Sequence, residues 1–174
     1  MFRLQYLFFA LFIILIAGCS DNSTGDDNNT SPQLYFSPES STVVIGNQID
    51  LSLKIKNLTP SIFAVSVQLH HNNSVFSFSD NIDSGSDDIF GDDALRFAQH
   101  DDSTIYLSVT RTQGQSQVEG SGTIGILELE GNSIGLDSIY IIPGQLYFYD
   151  STGNIVTVSN IILNDAALEC AASQ

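Results

Sequence analysis

Eight aspartates fall between positions 80 and 102: Asp80, Asp83, Asp87, Asp88, Asp92, Asp93, Asp101 and Asp102. Carboxylate oxygens are hard donors, and several on one loop could hold Ca²⁺. Asp83, Asp87, Asp88, Asp92 and Asp93 are the candidate calcium ligands. Their spacing lacks the order of an EF-hand, which places acidic or Asn ligands at positions 1, 3 and 5 and Gly at 6. A solvated acidic loop is the ordinary reading of the same run. His70 and His71 are adjacent, so on a strand they point to opposite faces and cannot share a metal. His100 stands alone, and no set of residues has zinc spacing. Ser, His and Asp are all present, and Gly131-Asn132-Ser133-Ile134-Gly135 has the Gly-x-Ser-x-Gly spacing, but no helical periodicity follows it, as a strand-to-helix nucleophile elbow requires. Carboxylate pairs for glycoside cleavage can be drawn from anywhere in so acidic a chain, so their presence decides nothing. The chain reads as a binding protein with no catalytic residues and no required cofactor.

The elements that would carry a binding surface are strands. Phe63, Val65, Val67 and Leu69 alternate with Ala64, Ser66, Gln68 and His70. A period of two means one buried face and one wet face. His71-Asn72-Asn73-Ser74 supplies a polar turn, and Phe76 and Phe78 resume the alternation. Ile49, Leu51, Leu53 and Ile55 alternate in the same way, up to a break expected at Asn57-Leu58-Thr59-Pro60. Further strands are expected at Leu34–Ser37, Thr42–Ile45, Leu95–Ala98, Ile105–Val109, Ile139–Ile142, Leu146–Tyr149, Ile155–Val158 and Ile161–Leu163. Residues 80–93 read as a loop. In Thr123–Glu130 the apolar parity changes, and a β-bulge at Gly125-Ile126 would produce that shift. Asp150-Ser151-Thr152-Gly153-Asn154 is a hairpin turn. Many short strands with Gly, Pro and Asn turns predict an all-β sandwich or jelly roll of about nine strands. It spans residues 33–165, with residues 166–174 as a C-terminal tail.

The formal net charge is -15. Such a chain repels nucleic acids and anionic lipid headgroups, so nucleic-acid binding is excluded as a function. At the N-terminus, Arg3 precedes the unbroken apolar run Leu7–Ala17. That run is too short for a spanning helix, which needs about 20 residues, and it suits a signal peptide over residues 1–18. Leu15-Ile16-Ala17-Gly18-Cys19 resembles the lipobox of bacterial lipoproteins. The resemblance implies cleavage before Cys19 and alkylation of its thiol by diacylglycerol, with acylation of the new amine, often by palmitate. Two or more acyl chains hold a protein stably on a bilayer. Residues 19–32 would then be the lipidated Cys and a disordered tether, since Ser20–Pro32 has no apolar residue. Ser20 resembles an outer-membrane sorting residue. Asp21, Asp26 and Asp27 loosely resemble surface-export signals. The address implied is the bacterial cell envelope, at the outer membrane or cell surface. With Cys19 modified, Cys170 is left as an odd thiol, read as lying in a short C-terminal turn or frayed end.

Four stretches in order resemble cohesin domains, the jelly rolls that bind dockerins in cellulosomes. They are Gly46–Leu51, Ala64–Phe76, Gly120–Ile124 and Phe148–Ile155. The family usually has Tyr-Asp-Pro where this chain has His71-Asn72-Asn73. The resemblance implies a protein partner docked on one flat sheet face that includes the third, fifth and sixth strands. Here those strands are Phe63–His71, Leu95–Ala98 and Thr104–Arg111. The implied contact residues are Ser66, Gln68 and His70, then Tyr106, Ser108 and Thr110, with Arg96 as the basic residue between them. Two other readings stand beside it. One is a carbohydrate-binding module taking a polysaccharide, with Tyr106, Tyr147 and Tyr149 as stacking residues in a chain that has no Trp. The other is a structural or adhesive envelope domain.

Overall fold

The central alternation becomes a strand buried on one side. In the computed structural model, which describes residues 30–173, β4 runs Ala64–His70 with Val65, Val67 and Leu69 buried and the residues between them half-buried. Around it lie β1 (Gln33–Ser37), β2 (Ser40–Val44), β3 (Gln48–Ile62), β5 (Phe76–Asp83), β6 (Leu95–Asp101) and β7 (Thr104–Thr110). The chain continues with β8 (Val118–Gly131), β9 (Gly135–Tyr149), β10 (Ile155–Val156), β11 (Ile162–Leu163) and β12 (Ala166–Ala171). No helix occurs among the described residues. One sheet has the order β11-β1-β3-β8-β5 and the other β2-β12-β9-β4-β7-β6, with β10 paired to β9. The two sheets pack face to face. Leu34, Leu51, Leu53, Ile55, Leu127 and Leu129 from one meet Val65, Val67, Leu69, Ile105, Leu107 and Val109 from the other. Each such side chain, fully removed from water, contributes about 1.5–3 kcal/mol. The expected sandwich is therefore present, with twelve strands among the described residues.

Several strands run further than the pattern suggested, because bulges carry them past apparent breakers. β3 does not stop at Asn57. Register shifts on either side of Leu58 let the chain pass Asn57, at φ 56°, and Pro60 while Leu58 stays fully buried. Pro60 has no N–H to donate, and it falls in the unpaired stretch between Leu58 and Ile62. The segments 139–142 and 146–149 are one strand, β9, interrupted at Pro143-Gly144, where Gly144 takes φ 77°. The bulge in β8 is at Ile124, one residue before the expected place, since Leu53 pairs with Gly125 and Lys54 with Thr123. Gly125 leaves room there for Cδ1 of Ile82, which would have to shift to accommodate a Cβ. β5 extends to Asp83, and the loop after it is pinned by Phe90, which is fully buried.

The C-terminal tail is corrected outright. Ala166–Ala171 forms β12, an internal strand between β2 and β9, and Ala166, Leu168 and Cys170 are buried. Alanine contributes little hydrophobicity, so the alternation Ala166, Leu168, Cys170 was a weak signal for a strand that both neighbours complete. The domain thus extends to Ala171, and Cys170 is a packed core thiol. The expected signal peptide, Cys19 and the expected tether through residue 29 lie outside the described residues.

Candidate binding face

The outer face of the larger sheet is assembled from residues out of phase with the core. Cross-strand register fixes its rows. Ala64 pairs with Thr110 and Tyr149, and Thr110 pairs in turn with Leu95. Ser66 pairs with Ser108 and Tyr147, and Ser108 with Phe97. Gln68 pairs with Tyr106, and Tyr106 with Gln99. His70 pairs with Thr104 and Tyr140. Residues opposite one another share a face, so Ser66, Gln68, His70, Tyr106, Ser108 and Thr110 lie together as expected. The Ser108 hydroxyl donates to Ser66 Oγ at 3.1 Å, and His70 stacks on Tyr140 with ring centroids 4.8 Å apart.

Arg96 is not on this face. It pairs with Val109, a core residue, and so points inward. Its guanidinium donates to Asp88, whose side chain is 4% exposed, and to the Ala94 carbonyl at 3.3 Å. The buried carboxylate is what lets a cation occupy an inward position. With Arg96 turned in, its neighbours Leu95 and Phe97 turn out, 50% and 62% exposed, beside Tyr106 at 42%. Neither had been expected to contribute, nor had Gln99 or Tyr140. The only signal for them was the presence of apolar residues in both phases of Leu95-Arg96-Phe97-Ala98. From β6 to the C-terminal half of β9 the face carries aromatic, aliphatic, hydroxyl and amide groups, with Asp101 at its margin.

The acidic segment does not gather a cation-binding set. Asp87 accepts a bond from the Thr123 hydroxyl and one from Lys54 Nζ at 3.0 Å, and these two bonds, the Thr123 bond first, hold its carboxyl below the usual carboxylate range. Asp88 accepts the Phe90 amide at 2.9 Å as well as Arg96. Asp83 ends β5, and Asp92 and Asp93 are exposed in the following loop. Among the described residues no three His, Cys, Asp or Glu side chains come together as a metal site. Asp87 and Asp88 act as struts that tie the loop to β3, β6 and β8.

The two adjacent histidines do separate. His70 lies on the outer face, while His71 is fully buried, with neither ring nitrogen hydrogen-bonded. Burial lowers the His71 pKa, and the nearby Asp137 carboxylate opposes that shift. Asp137 accepts the Asn72 amide at 2.9 Å and so fixes the turn after β4. His100 contacts Asp80 through Nδ1 at 2.9 Å. At the far end of the face Asp150 accepts bonds from Thr152 and Asn154, chiefly the Thr152 hydroxyl, which lowers its pKa to about 2 and closes the β9–β10 hairpin.

No protein-family model matches the chain, and no curated protein matches its sequence. Solved structures do match. CaCohA2, in complex with a variant of CaDoc0917, superposes with a TM-score of 0.66 at 11% identity, covering 81% of this chain and 100% of that one. The third cohesin of ScaC from Acetivibrio cellulolyticus, in complex with the ScaB dockerin, gives 0.64 at 16% identity, covering 81% and 99%. A cohesin module of a family 33 glycoside hydrolase from Clostridium perfringens gives 0.63 at 12% identity, covering 82% and 97%. The chain therefore has a cohesin-like fold, spanning essentially the whole of each of these modules.

Proposed function

We propose that this chain is a non-catalytic binding module that docks a protein partner on the outer face of β6, β7, β4 and the C-terminal half of β9. The observation that carries the proposal is the character of that face. Leu95 and Phe97 on the edge strand β6 and Tyr106 on β7 form an exposed apolar group on it, and the face is uncharged over most of its extent in a chain of net charge -15. Interface centres are poor in charge and rich in aromatic residues. The similar structures include a complex of a cohesin with a dockerin, and a dockerin-like module is the partner class that fits first. The module is held at the bacterial envelope by lipid on Cys19, which keeps the face available outside the membrane.

The experiment is direct binding of the purified protein to a dockerin panel, with a glycan array in parallel. Saturable binding to a protein ligand, lost on Phe97→Ala with the melting temperature kept, is expected. Binding only to glycans, lost with Tyr147 or Tyr149 and insensitive to Phe97, overturns the protein-partner reading in favour of a carbohydrate module.

A further inference from the structure

Four strands end the two sheets: β11 and β5 in one, β2 and β6 in the other. An open edge offers unpaired N–H and C=O groups to any extended chain, and proteins guard edges with charge, bulges or shortness. β6 is flanked by Asp92, Asp93, Asp101 and Asp102, and its His100 amide is capped by Asp80 Oδ1 at 2.8 Å. β5 carries Asp80 and Asp83 and is broken by a register shift between Phe78 and Ile82. β11 has two residues. β2, Ser40-Ser41-Thr42-Val43-Val44, has no bulge and no charge within it, although Pro38 and Glu39 precede it.

The outward groups of β2 can be identified. Its parallel ladder to β12 is bracketed by Ala167 N–H to Glu39 O at 2.9 Å and Ile45 N–H to Ala171 O at 3.0 Å. Residues 39, 41, 43 and 45 therefore turn their backbone groups to β12. Ser40, Thr42 and Val44 turn theirs to the open side, where only the Val44 carbonyl is used, by Asn47 at 2.9 Å. The same flank of the sandwich holds β11, since β1 touches β12 at this side while β5 touches β6 at the other. Ile162 and Leu163 on β11 are 37% and 39% exposed.

We propose that β2 pairs antiparallel with the β2 strand of a second copy of this chain, about a twofold axis through Thr42. In that register Thr42 faces its own copy, Ser40 faces Val44, and Glu39 faces Ile45, so no carboxylate meets another across the ladder. The Thr-Thr pair is a favourable cross-strand neighbour, and such a contact is isologous and closed. The Glu169 backbones, one strand in from each β2, lie three strand spacings apart, about 14 Å. Each Glu169 carboxylate leans toward β2, where it accepts the hydroxyl of its own Thr42 at 3.3 Å. Charge favours this flank: two chains of net charge -15 repel wherever acidic surfaces meet, and here the paired strand itself carries no charged side chain and lies beside exposed Ile162 and Leu163. This association is independent of the outer-face docking proposed above.

The test is oxidative cross-linking of the full chain on a non-reducing gel, with sedimentation velocity on the same samples. Antiparallel hydrogen-bonded partners have Cα atoms about 5.5 Å apart, within disulfide reach. Thr42→Cys is expected to give a band of doubled mass, whereas Ser40→Cys and Val44→Cys alone give none and regain it when mixed. Thr42→Lys, a charge on the open edge, is expected to sediment as monomer with an unchanged melting temperature, while the unmodified chain sediments as dimer at high concentration. A monomer at every concentration, or cross-linking by Ser40→Cys alone, overturns the proposal.

Discussion

Replacing Arg96 by alanine separates a structural cation from a contact residue. Arg96 and Asp88 are 9% and 4% exposed in their side chains and are paired. Removing the guanidinium leaves the Asp88 carboxylate with only the Phe90 amide as a partner. Breaking a buried ion pair from one side costs about 3–5 kcal/mol, against a total stability of about 5–15 kcal/mol for a domain. At about 2–4 °C per kcal/mol for a domain near this size, Arg96→Ala is expected to lower the melting temperature by on the order of 10 °C. Circular dichroism melts at neutral pH read this directly. Arg96→Met combined with Asp88→Asn removes both charges, keeps an acceptor for the Phe90 amide, and is expected to recover most of the loss. An Arg96→Ala melt within about 1 °C of the parent, the ordinary result for an exposed side chain, would refute the inward placement. It would return Arg96 to the outer face.

The remaining predictions concern packing, pH and anchoring. A Cβ on Gly122 would lie 2.5 Å from the Asp87 carbonyl oxygen, while one on Gly125 would meet the end of Ile82. Both alanine variants are expected to lose about 1–3 kcal/mol by overpacking, and thermal melts should show rescue by Ile82→Ala only for Gly125→Ala. Because burial lowers the His71 pKa, the unfolded chain binds a proton that the folded chain refuses once pH falls below about 6.5. Stability, read as urea midpoints, is therefore expected to drop from about pH 7 to about pH 5, and His71→Leu should flatten that slope. Cys19→Ala is expected to move the protein from the membrane to the soluble fraction; retention of the variant in the detergent phase would contradict the lipid anchor.

The parts of the fold that were legible are those in which a strand is buried on one side for its whole length. β4 is the clearest: Val65, Val67 and Leu69 read as buried and are buried. Its outward phase, Ser66, Gln68 and His70, follows without further information, as does Tyr106-Ser108-Thr110 on β7. Legibility fails where a strand has apolar residues in both phases or too little side chain to signal. β6 is the first case: its parity depends on Asp88, eight positions before Arg96 and brought to it only by the folded loop. Alternation alone gives no reason for Arg96 to go in and Phe97 to go out. β12 is the second case, since an Ala-rich strand is indistinguishable from a tail until β2 and β9 are known to enclose it. Pro60 and Pro143-Gly144 looked like breaks because a bulge preserves the strand while spoiling its period.

Docking on the uncharged aromatic face requires that its aromatic side chains carry the affinity. Titration calorimetry against the dockerin or other protein ligand recovered from the binding panel tests it most directly, using Phe97→Ala and Tyr106→Ala on this face and Tyr35→Ala on the opposite sheet. Truncating an aromatic hot-spot residue costs about 2 kcal/mol or more. The face variants are therefore expected to weaken binding by at least about thirty-fold, while Tyr35→Ala leaves the affinity unchanged. Equal affinities for all three, or a loss confined to Tyr35→Ala, would contradict the assignment of this face.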